Sequence, residues 1–272
     1  MVRAERHGEA AAWRVIDAAV ESAAALLGER LVAAYAIGSL AHGGFAPDVS
    51  DVDVAFLVDR WDEDTAATCA DLAERARSRA DLPLADRLSL FCCDWAQFEA
   101  PPPSARFPAI DRLDLMSTGV ILHGSDEPRS KAIRPTRAAI LKETAEFAGS
   151  KLTRDDTVQL LHDPARLIAS GRRTLTKTVL NPVRFLYTAA TGVLGSNEAA
   201  VTWYAGLDGP HAGLAREALR WRTVEVHDLR AASALLSGHL LPLYREFVDV
   251  YRHVLPEPEA IGRALRSREI TD

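Results

Sequence analysis

The first half of the chain alternates between helical and strand-like patterns of apolar residues. Apolar positions recur at helical spacing from Ala10 to Leu27, and Gly28 ends this predicted helix. A second helix is predicted over 62–80, where acidic residues at its start complement the helix dipole. Three consecutive prolines predict an extended loop over 99–104. Short apolar runs predict β-strands over 31–37, 51–58, 86–93 and 120–122.

From about residue 138 onward, helical periodicity dominates and strand-like runs are few. Helices are predicted over 138–147, 156–170, 174–191, 197–206, 214–237 and 240–251. Pro182 lies inside the third of these, so we expect a kink or a later start there. The tail over 256–272 is polar, and we expect only part of it to dock. The chain is therefore predicted to have an α+β fold, with a sheet-containing domain over 1–130 and an all-α domain over 131–272.

Length and charge limit the classes of function that the chain can have. The 272 residues are enough to bury a substantial core without disulfides. The net charge of −6 and the pI near 5.8 argue against a nucleic-acid partner, which requires a basic face. An acidic protein instead suits a cationic small molecule.

The cysteines and the apolar runs bear on the cellular setting. Cys69, Cys92 and Cys93 have no Cys-x-x-Cys spacing and form no even disulfide framework. We therefore expect them to pack as small hydrophobic side chains. The N-terminus lacks a hydrophobic signal segment, and no apolar run approaches the roughly 18 residues of a membrane span. These features predict a reduced, cytoplasmic setting and no membrane partner.

One motif carries most of the chemical information. Gly38-Ser39 is followed by eleven residues, with further glycines among them, and then by Asp51-Val52-Asp53. Residues two apart on a strand share a face, so Asp51 and Asp53 converge while Val52 enters a core. An Asp-x-Asp pair alone is common at solvated strand ends, but here it follows a small-residue turn and lies between apolar strands. Two carboxylates beside a turn whose backbone N–H groups can approach a phosphate suit Mg²⁺ carrying a nucleoside triphosphate.

Nucleotidyl transfer also needs a group that removes a proton from the acceptor hydroxyl. In the predicted third strand, Asp86 alternates with Leu88 and Leu90 onto one face, at the end near the paired aspartates. Asp86 is therefore predicted to complete the metal shell or to act as general base. Two alternatives stay open: a solvated Asp86 paired with Arg87, and Asp94, at the other end of the strand, in the functional role.

The spacing Gly-Ser-x11-Asp-x-Asp, with a carboxylate on a later strand, resembles the DNA polymerase β-like nucleotidyltransferase superfamily. The second half is more specific. The stretches 184–192 (Arg-Phe-Leu-Tyr-Thr-Ala-Ala-Thr-Gly) and 196–200 (Ser-Asn-Glu-Ala-Ala), followed by Trp203, are similar to the helical domain of aminoglycoside 3''/9-adenylyltransferases. Those enzymes modify streptomycin and spectinomycin. The resemblance implies a small mixed-sheet nucleotidyltransferase domain followed by an all-α domain, with ATP as co-substrate and two Mg²⁺ ions.

The resemblance also implies residue roles. Asp51, Asp53 and Asp86 would bind metal, and Asp86 would be the catalytic base, although the family has glutamate there. The residues implied to hold the triphosphate are Gly38, Ser39, Ser50 and Arg184. Trp221 is a candidate for stacking on the nucleotide, with a core tryptophan as the alternative.

Three positions depart from the family. Asn197 stands where the family has a phosphate-contacting lysine, Thr118 near its drug-contacting tryptophan, and Thr174 near an aspartate that binds the drug's amino groups. A lost charge-assisted contact costs about 1.5–3 kcal/mol, which weighs against streptomycin or spectinomycin as acceptor. The predicted function is therefore transfer of AMP to a hydroxyl of a small, aminoglycoside-like molecule. Transfer to a protein or RNA end, and a catalytically degenerate nucleotide sensor, are the alternatives.

Overall fold

The computed structural model describes residues 2–102 and 107–266, with side chains from residue 8 onward. Residues 103 and 104 of the predicted extended loop, and residues 267–272 of the predicted tail, lie outside this part. The chain divides into two compact units, Met1–Thr136 and Arg137–Asp272, which are described separately below.

The first unit contains a four-stranded sheet and six α-helices within its described residues. In chain order these are α1 (Val2–Leu27), β1 (Leu31–Ile37), α2 (Gly38–His42), β2 (Val52–Val58), α3 (Glu63–Arg77), β3 (Leu88–Asp94), α4 (Trp95–Glu99), α5 (Ala109–Thr118), β4 (Val120–Gly124) and α6 (Glu127–Lys131). A short 3₁₀-helix, Ala85–Arg87, precedes β3.

Two helix starts in this unit follow from aspartate caps. The Asp62 carboxylate accepts a hydrogen bond from the Thr65 N–H at 2.9 Å, which satisfies one of the open donors at the start of α3. The same N-cap bond lowers the pKa of Asp62 to about 2. Asp94 caps α4 in the same way, through the Gln97 N–H at 2.7 Å.

The sheet has the strand order β3-β2-β1-β4 and is mixed. β1 is antiparallel to both β2 and β4, whereas β2 and β3 are parallel and are joined through α3. The predicted α+β fold with a small mixed sheet is confirmed.

Strand alternation sends the side chains of β2 into two separate cores. Val54 and Phe56 pack in a cluster with Ile16 of α1. Ala55 and Leu57 pack in a second cluster, which contains Tyr35 of β1, Phe98 of α4 and Leu115 of α5. Asp53 follows the same alternation and therefore lies on the face of Ala55 and Leu57, at the start of the strand.

Within its described residues, the second unit consists of α-helices and the loops that connect them. The helices share one continuous hydrophobic core. Its helices are α7 (Arg137–Leu152), α8 (Asp155–His162), α9 (Pro164–Ala169), α10 (Arg172–Thr191), α11 (Asn197–Gly206), α12 (Ala212–Trp221), α13 (Leu229–Tyr251) and α14 (Pro258–Ala264).

Several predicted helix boundaries in this unit are wrong, for local reasons. The helix predicted over 156–170 is divided because Pro164 begins α9, with Asp163 as its cap. The predicted helix over 214–237 ends at Trp221, and a new helix begins after Asp228, whose carboxylate accepts from the Ala231 N–H at 2.9 Å. α10 runs through Pro182, so the later start considered there is also wrong.

Part of the predicted tail docks on the second unit. α14 lies within the stretch predicted to dock only in part, and its Ile261 is buried in the core of this unit. Leu265, directly after the helix, is buried in the same core. These two apolar residues, together with hydrogen bonds from Arg245 to the Leu265 carbonyl, hold residues 258–265.

The expectation that the cysteines form no disulfide is wrong. Cys69 of α3 and Cys92 of β3 are bonded, because α3 packs over β3 and brings their Cα atoms to 6.7 Å. Cys93 points to the opposite face, where it is a buried free thiol as predicted, and burial raises its pKa to about 12.

Within the described residues, no helix is both long enough and apolar enough to pass through a lipid bilayer.

A histidine pair in the second unit predicts a pH-dependent stability. The Nδ1 atoms of His211, just before α12, and His239, in α13, lie 3.1 Å apart. Burial lowers the pKa of His211, and the neighbouring His239 lowers it further, while the nearby Glu246 carboxylate opposes this by raising it. The folded state therefore disfavours the imidazolium form of His211.

The pKa of His211 is depressed in the folded state, so neutral His211 stabilises the fold fully above the pKa of histidine in the unfolded chain, about 6.5. This stabilisation is lost as the pH falls through the pKa of His211 in the folded state. We expect the free energy of unfolding in urea to fall less between about pH 7.5 and about pH 5.5 in His211→Gln than in the wild type. The control is His253→Gln, which changes an exposed histidine of the same unit. Equal pH dependence in the wild type and His211→Gln would contradict this account.

Candidate active site

The join between β1 and α2 places Gly38 directly against Asp53. Ile37, the last residue of β1, pairs with Asp53 of β2 across the sheet. Gly38 follows with φ of +71°, a left-handed conformation that favours glycine. A Cβ atom on Gly38 would lie 2.4 Å from Asp53 Oδ2, so any other residue would push this carboxylate away. The glycine of the motif is thus required by both its φ angle and the close approach.

The backbone N–H of Gly38 has a protein partner. It donates to Oδ2 of Asp114, in α5, at 2.6 Å. Asp114 is only 3% exposed, and its other carboxylate oxygen accepts from the Thr118 hydroxyl. The predicted role of Gly38 in holding a phosphate through this N–H therefore competes with Asp114. The sequence reasoning missed Asp114, although a carboxylate between Leu113 and Leu115 in an apolar stretch was a usable signal.

The loop before β2 is held by one of its own side chains and by one from the segment before β3. Ser50 is 6% exposed, and its hydroxyl accepts from the Ala46 N–H at 2.9 Å. The Arg87 guanidinium, next to β3, donates to the Pro47 carbonyl in the same loop. Ser50 thus closes the loop, and its predicted contact with a triphosphate stays a prediction. Ser39, the second residue of α2, is half-buried.

Asp51 and Asp53 are half-buried, and each already has a partner within the protein. Across residues 2–102 and 107–266, no group of three or more histidine, cysteine, aspartate or glutamate side chains is arranged to hold a metal. The predicted trio of Asp51, Asp53 and Asp86 is therefore not brought together. The pair alone still fits Mg²⁺ by its chemistry, because this ion commonly binds one or two carboxylates together with substrate phosphates.

Asp86 does not lie in β3, as the sequence predicted. It lies in the 3₁₀-helix that precedes the strand and is exposed. The parallel register pairs Asp53 with Ser89, so Ser89 is the β3 residue that lies beside Asp53 on the same face of the sheet. Leu88 and Leu90 belong to the core on the opposite face, together with Val54. Strand alternation therefore does not bring Asp86 toward Asp53, and its role as base stays a prediction.

Asp94, the alternative to Asp86, has a structural role in the first unit. Its carboxylate accepts from the Trp61 N–H at 2.9 Å in addition to capping α4. Both oxygens are engaged at the end of β3 far from Asp53. The structure therefore favours a capping role for this residue.

Arg184 belongs to the second unit, where it lies half-buried in α10. It acts electrostatically on Arg222, which is 5% exposed. Burial lowers the pKa of Arg222, the Arg184 charge lowers it too, and the Glu198 carboxylate raises it. The guanidinium groups of Arg184 and Arg222 and the carboxylate of Glu198 thus lie near one another in the second unit.

The other positions singled out for the nucleotide or drug lie in ordinary structural surroundings. Trp221 is 2% exposed and packs in the core of the second unit, which favours the core interpretation over stacking. Thr118 donates to Asp114 at the end of α5. Asn197 begins α11 and Thr174 is half-buried in α10.

The fold has a relative among solved structures. The chain is similar to spectinomycin adenyltransferase AAD(9) from Enterococcus faecialis, whose structure was determined with ATP and spectinomycin. The TM-score is 0.56 at 13% sequence identity, and the match covers 84% of this chain and 98% of that one. At this identity the likeness shows a shared α+β fold. No protein-family model and no curated protein matches the chain.

Proposed function

We propose that the chain is an ATP- and Mg²⁺-dependent nucleotidyltransferase that transfers AMP to a hydroxyl of a small, aminoglycoside-like molecule. The observation that carries the proposal is the contact of the Asp53 carboxylate with Gly38, in a motif that also supplies Asp51. The fold shared with a spectinomycin adenyltransferase supports the same reaction class. The acidic net charge of −6 suits a cationic acceptor.

In the proposed reaction, the acceptor oxygen forms a bond to the α-phosphorus of ATP. The bond between this phosphorus and the bridging oxygen breaks, and pyrophosphate leaves. Bound Mg²⁺ would neutralise charge on the triphosphate and on the leaving group. Asp51 and Asp53 are the residues proposed to hold it. Ser39 and Arg184 are proposed to bind phosphate oxygens, and Asp86 to accept the proton of the acceptor hydroxyl.

The direct test is an acceptor screen. The wild type is incubated with ATP, Mg²⁺ and a panel of spectinomycin, streptomycin, other aminoglycosides and amino-polyols, and the products are read by mass. We expect one AMP adduct on a panel member, with matching pyrophosphate release. Adducts found only on a protein or RNA end would replace the small-molecule acceptor by a macromolecular one.

A second function is favoured by one observation: among the described residues, no group of three or more histidine, cysteine, aspartate or glutamate side chains is arranged to hold a metal. With Ser89 on the face of Asp53, the site could bind Mg²⁺ and nucleotide without transferring it. Tight ATP binding without pyrophosphate release across the whole panel would identify such a nucleotide-binding protein.

Asp86→Asn tests whether Asp86 is the general base of the proposed transferase. If Asp86 is the general base, the substitution lowers kcat by about 10²–10⁴-fold with little change in ATP affinity. The matched control is Asp81→Asn, which changes an exposed aspartate five residues earlier that is paired with Arg79 at 2.6 Å. An Asp86→Asn enzyme as active as the control variant would remove Asp86 from the mechanism.

A further inference from the structure

Asp114 is a buried carboxylate outside the predicted site. It lies in the middle of α5, 3% exposed, between the buried residues Leu113 and Leu115. Burying a carboxylate is costly unless hydrogen bonds compensate for the lost water. A residue of this kind in an apolar helix face therefore calls for an explanation in the groups that it contacts.

Both oxygens of Asp114 accept hydrogen bonds. Oδ2 accepts from the Gly38 N–H at 2.6 Å, across 76 positions of sequence. The other oxygen accepts from the Thr118 hydroxyl, one turn later in the same helix. The Thr118 hydroxyl also lies 3.2 Å from the Asp114 backbone carbonyl. Thr118 thus fixes the direction of the carboxylate, and the carboxylate fixes Gly38 through a charge-assisted bond.

Gly38 is in turn the residue against which Asp53 packs. Glycine adopts positive and negative φ about equally readily, so the contacts around Gly38 select its φ of +71°. On one side its N–H is held by Asp114, and on the other its Cα leaves no room for a side chain beside Asp53 Oδ2. The two carboxylates therefore contact the same glycine from different directions.

We propose that Asp114 is a positioning residue, which holds Gly38 in its left-handed conformation and thereby sets the place of the Asp53 carboxylate. The inference rests on the proposed function, since Asp53 matters as a ligand only if the chain binds Mg²⁺ with a nucleotide. We place the action of Asp114 on Gly38, because its two carboxylate oxygens accept from Gly38 and Thr118.

The test compares Asp114→Asn with Asp114→Ala. Asparagine keeps an oxygen for the Gly38 N–H and a polar group for Thr118, whereas alanine removes both. Two readouts are taken on the full chain: amide hydrogen exchange at Gly38, and the Kd for ATP in the presence of Mg²⁺. In Asp114→Ala we expect Gly38 exchange to accelerate and the Kd to rise, each about tenfold or more, and in Asp114→Asn both to stay within about fivefold.

A third variant, Thr118→Ala, covers the case in which Asp114→Ala fails to fold. It removes only the hydroxyl that orients the carboxylate, so both readouts should shift in the same direction by a smaller factor. Wild-type values of both readouts in Asp114→Ala, or in Thr118→Ala where Asp114→Ala does not fold, would overturn the inference. An Asp114→Asn variant with a Kd raised as far as in Asp114→Ala, but with wild-type exchange at Gly38, would also overturn it, because the charge itself would then act on the ligand.

The failure of the proposed function would be visible separately. A wild-type chain that binds no ATP with Mg²⁺ would overturn the proposed function and, with it, the role of Asp53. The exchange of the Gly38 amide would still decide whether Asp114 holds the turn. Equal Mg²⁺-dependent ATP binding by the wild type and Asp114→Ala, with the Gly38 amide exposed in the variant, overturns the positioning role alone.

Discussion

Asp53→Asn should abolish Mg²⁺-dependent AMP transfer while leaving the fold intact. Asparagine has the shape of aspartate but lacks the negative charge that a hard divalent cation requires. The loss of several kcal/mol of charge stabilisation corresponds to a fall in kcat/KM of about a thousandfold or more. Asp51→Asn should have an effect of the same kind, since Asp51 directly precedes β2 and is the other carboxylate of the motif. Pyrophosphate release at saturating Mg²⁺ measures both losses.

The matched control is Asp59→Asn. Asp59 directly follows the opposite end of β2, is exposed, and accepts from the Arg60 N–H at 2.8 Å. The same chemical change there should leave activity within about twofold, because an exposed turn residue contributes little. Unchanged activity in Asp51→Asn and Asp53→Asn would remove both residues from the metal assignment.

Gly38→Ala has the second large expected effect. The added Cβ would lie 2.4 Å from Asp53 Oδ2, so the carboxylate must move by an ångström or so. A displacement of this size in a reacting constellation costs about a hundredfold in rate. The left-handed φ of +71° adds about 1–2 kcal/mol of destabilisation. We expect both the loss of rate and a lower midpoint of urea unfolding.

Gly28→Ala separates these two contributions. Gly28 also has a positive φ, +56°, but nothing lies within 4 Å of an added Cβ. It should show a similar loss of stability, about 1–2 kcal/mol, with normal activity. Equal activity losses in the two variants would mean that the Gly38 effect is one of stability and not of the Asp53 position.

The elements that were predicted well have strong local signals. β1 was predicted at its observed bounds because it is a short apolar run between polar segments. In the structure all of its residues but Val32 are buried. α11 was also placed at its observed bounds, since the Ser196 hydroxyl accepts from the Ala199 N–H and marks the start. The Gly38-Ser39 and Asp-x-Asp motif is likewise a local pattern. In the structure Gly38 lies directly against the Asp53 carboxylate.

The features that were missed depend on contacts distant in sequence. The bond from Gly38 to Asp114 spans 76 positions, and the Cys69–Cys92 pair depends on how α3 packs over β3. Asp86 was placed in a strand because the prediction began β3 two residues before its observed start at Leu88. The parallel register, which sets Ser89 beside Asp53, is fixed by tertiary pairing and has no local signal.

Calorimetric titration of ATP into the full chain, with and without Mg²⁺, is the measurement that tests the metal–nucleotide site most directly. The site predicts binding by the wild type that requires Mg²⁺ and that is lost in Asp53→Asn but kept in Asp59→Asn. Binding that is independent of Mg²⁺, or equally strong in the wild type and Asp53→Asn, would contradict it, as would a wild type that binds no ATP.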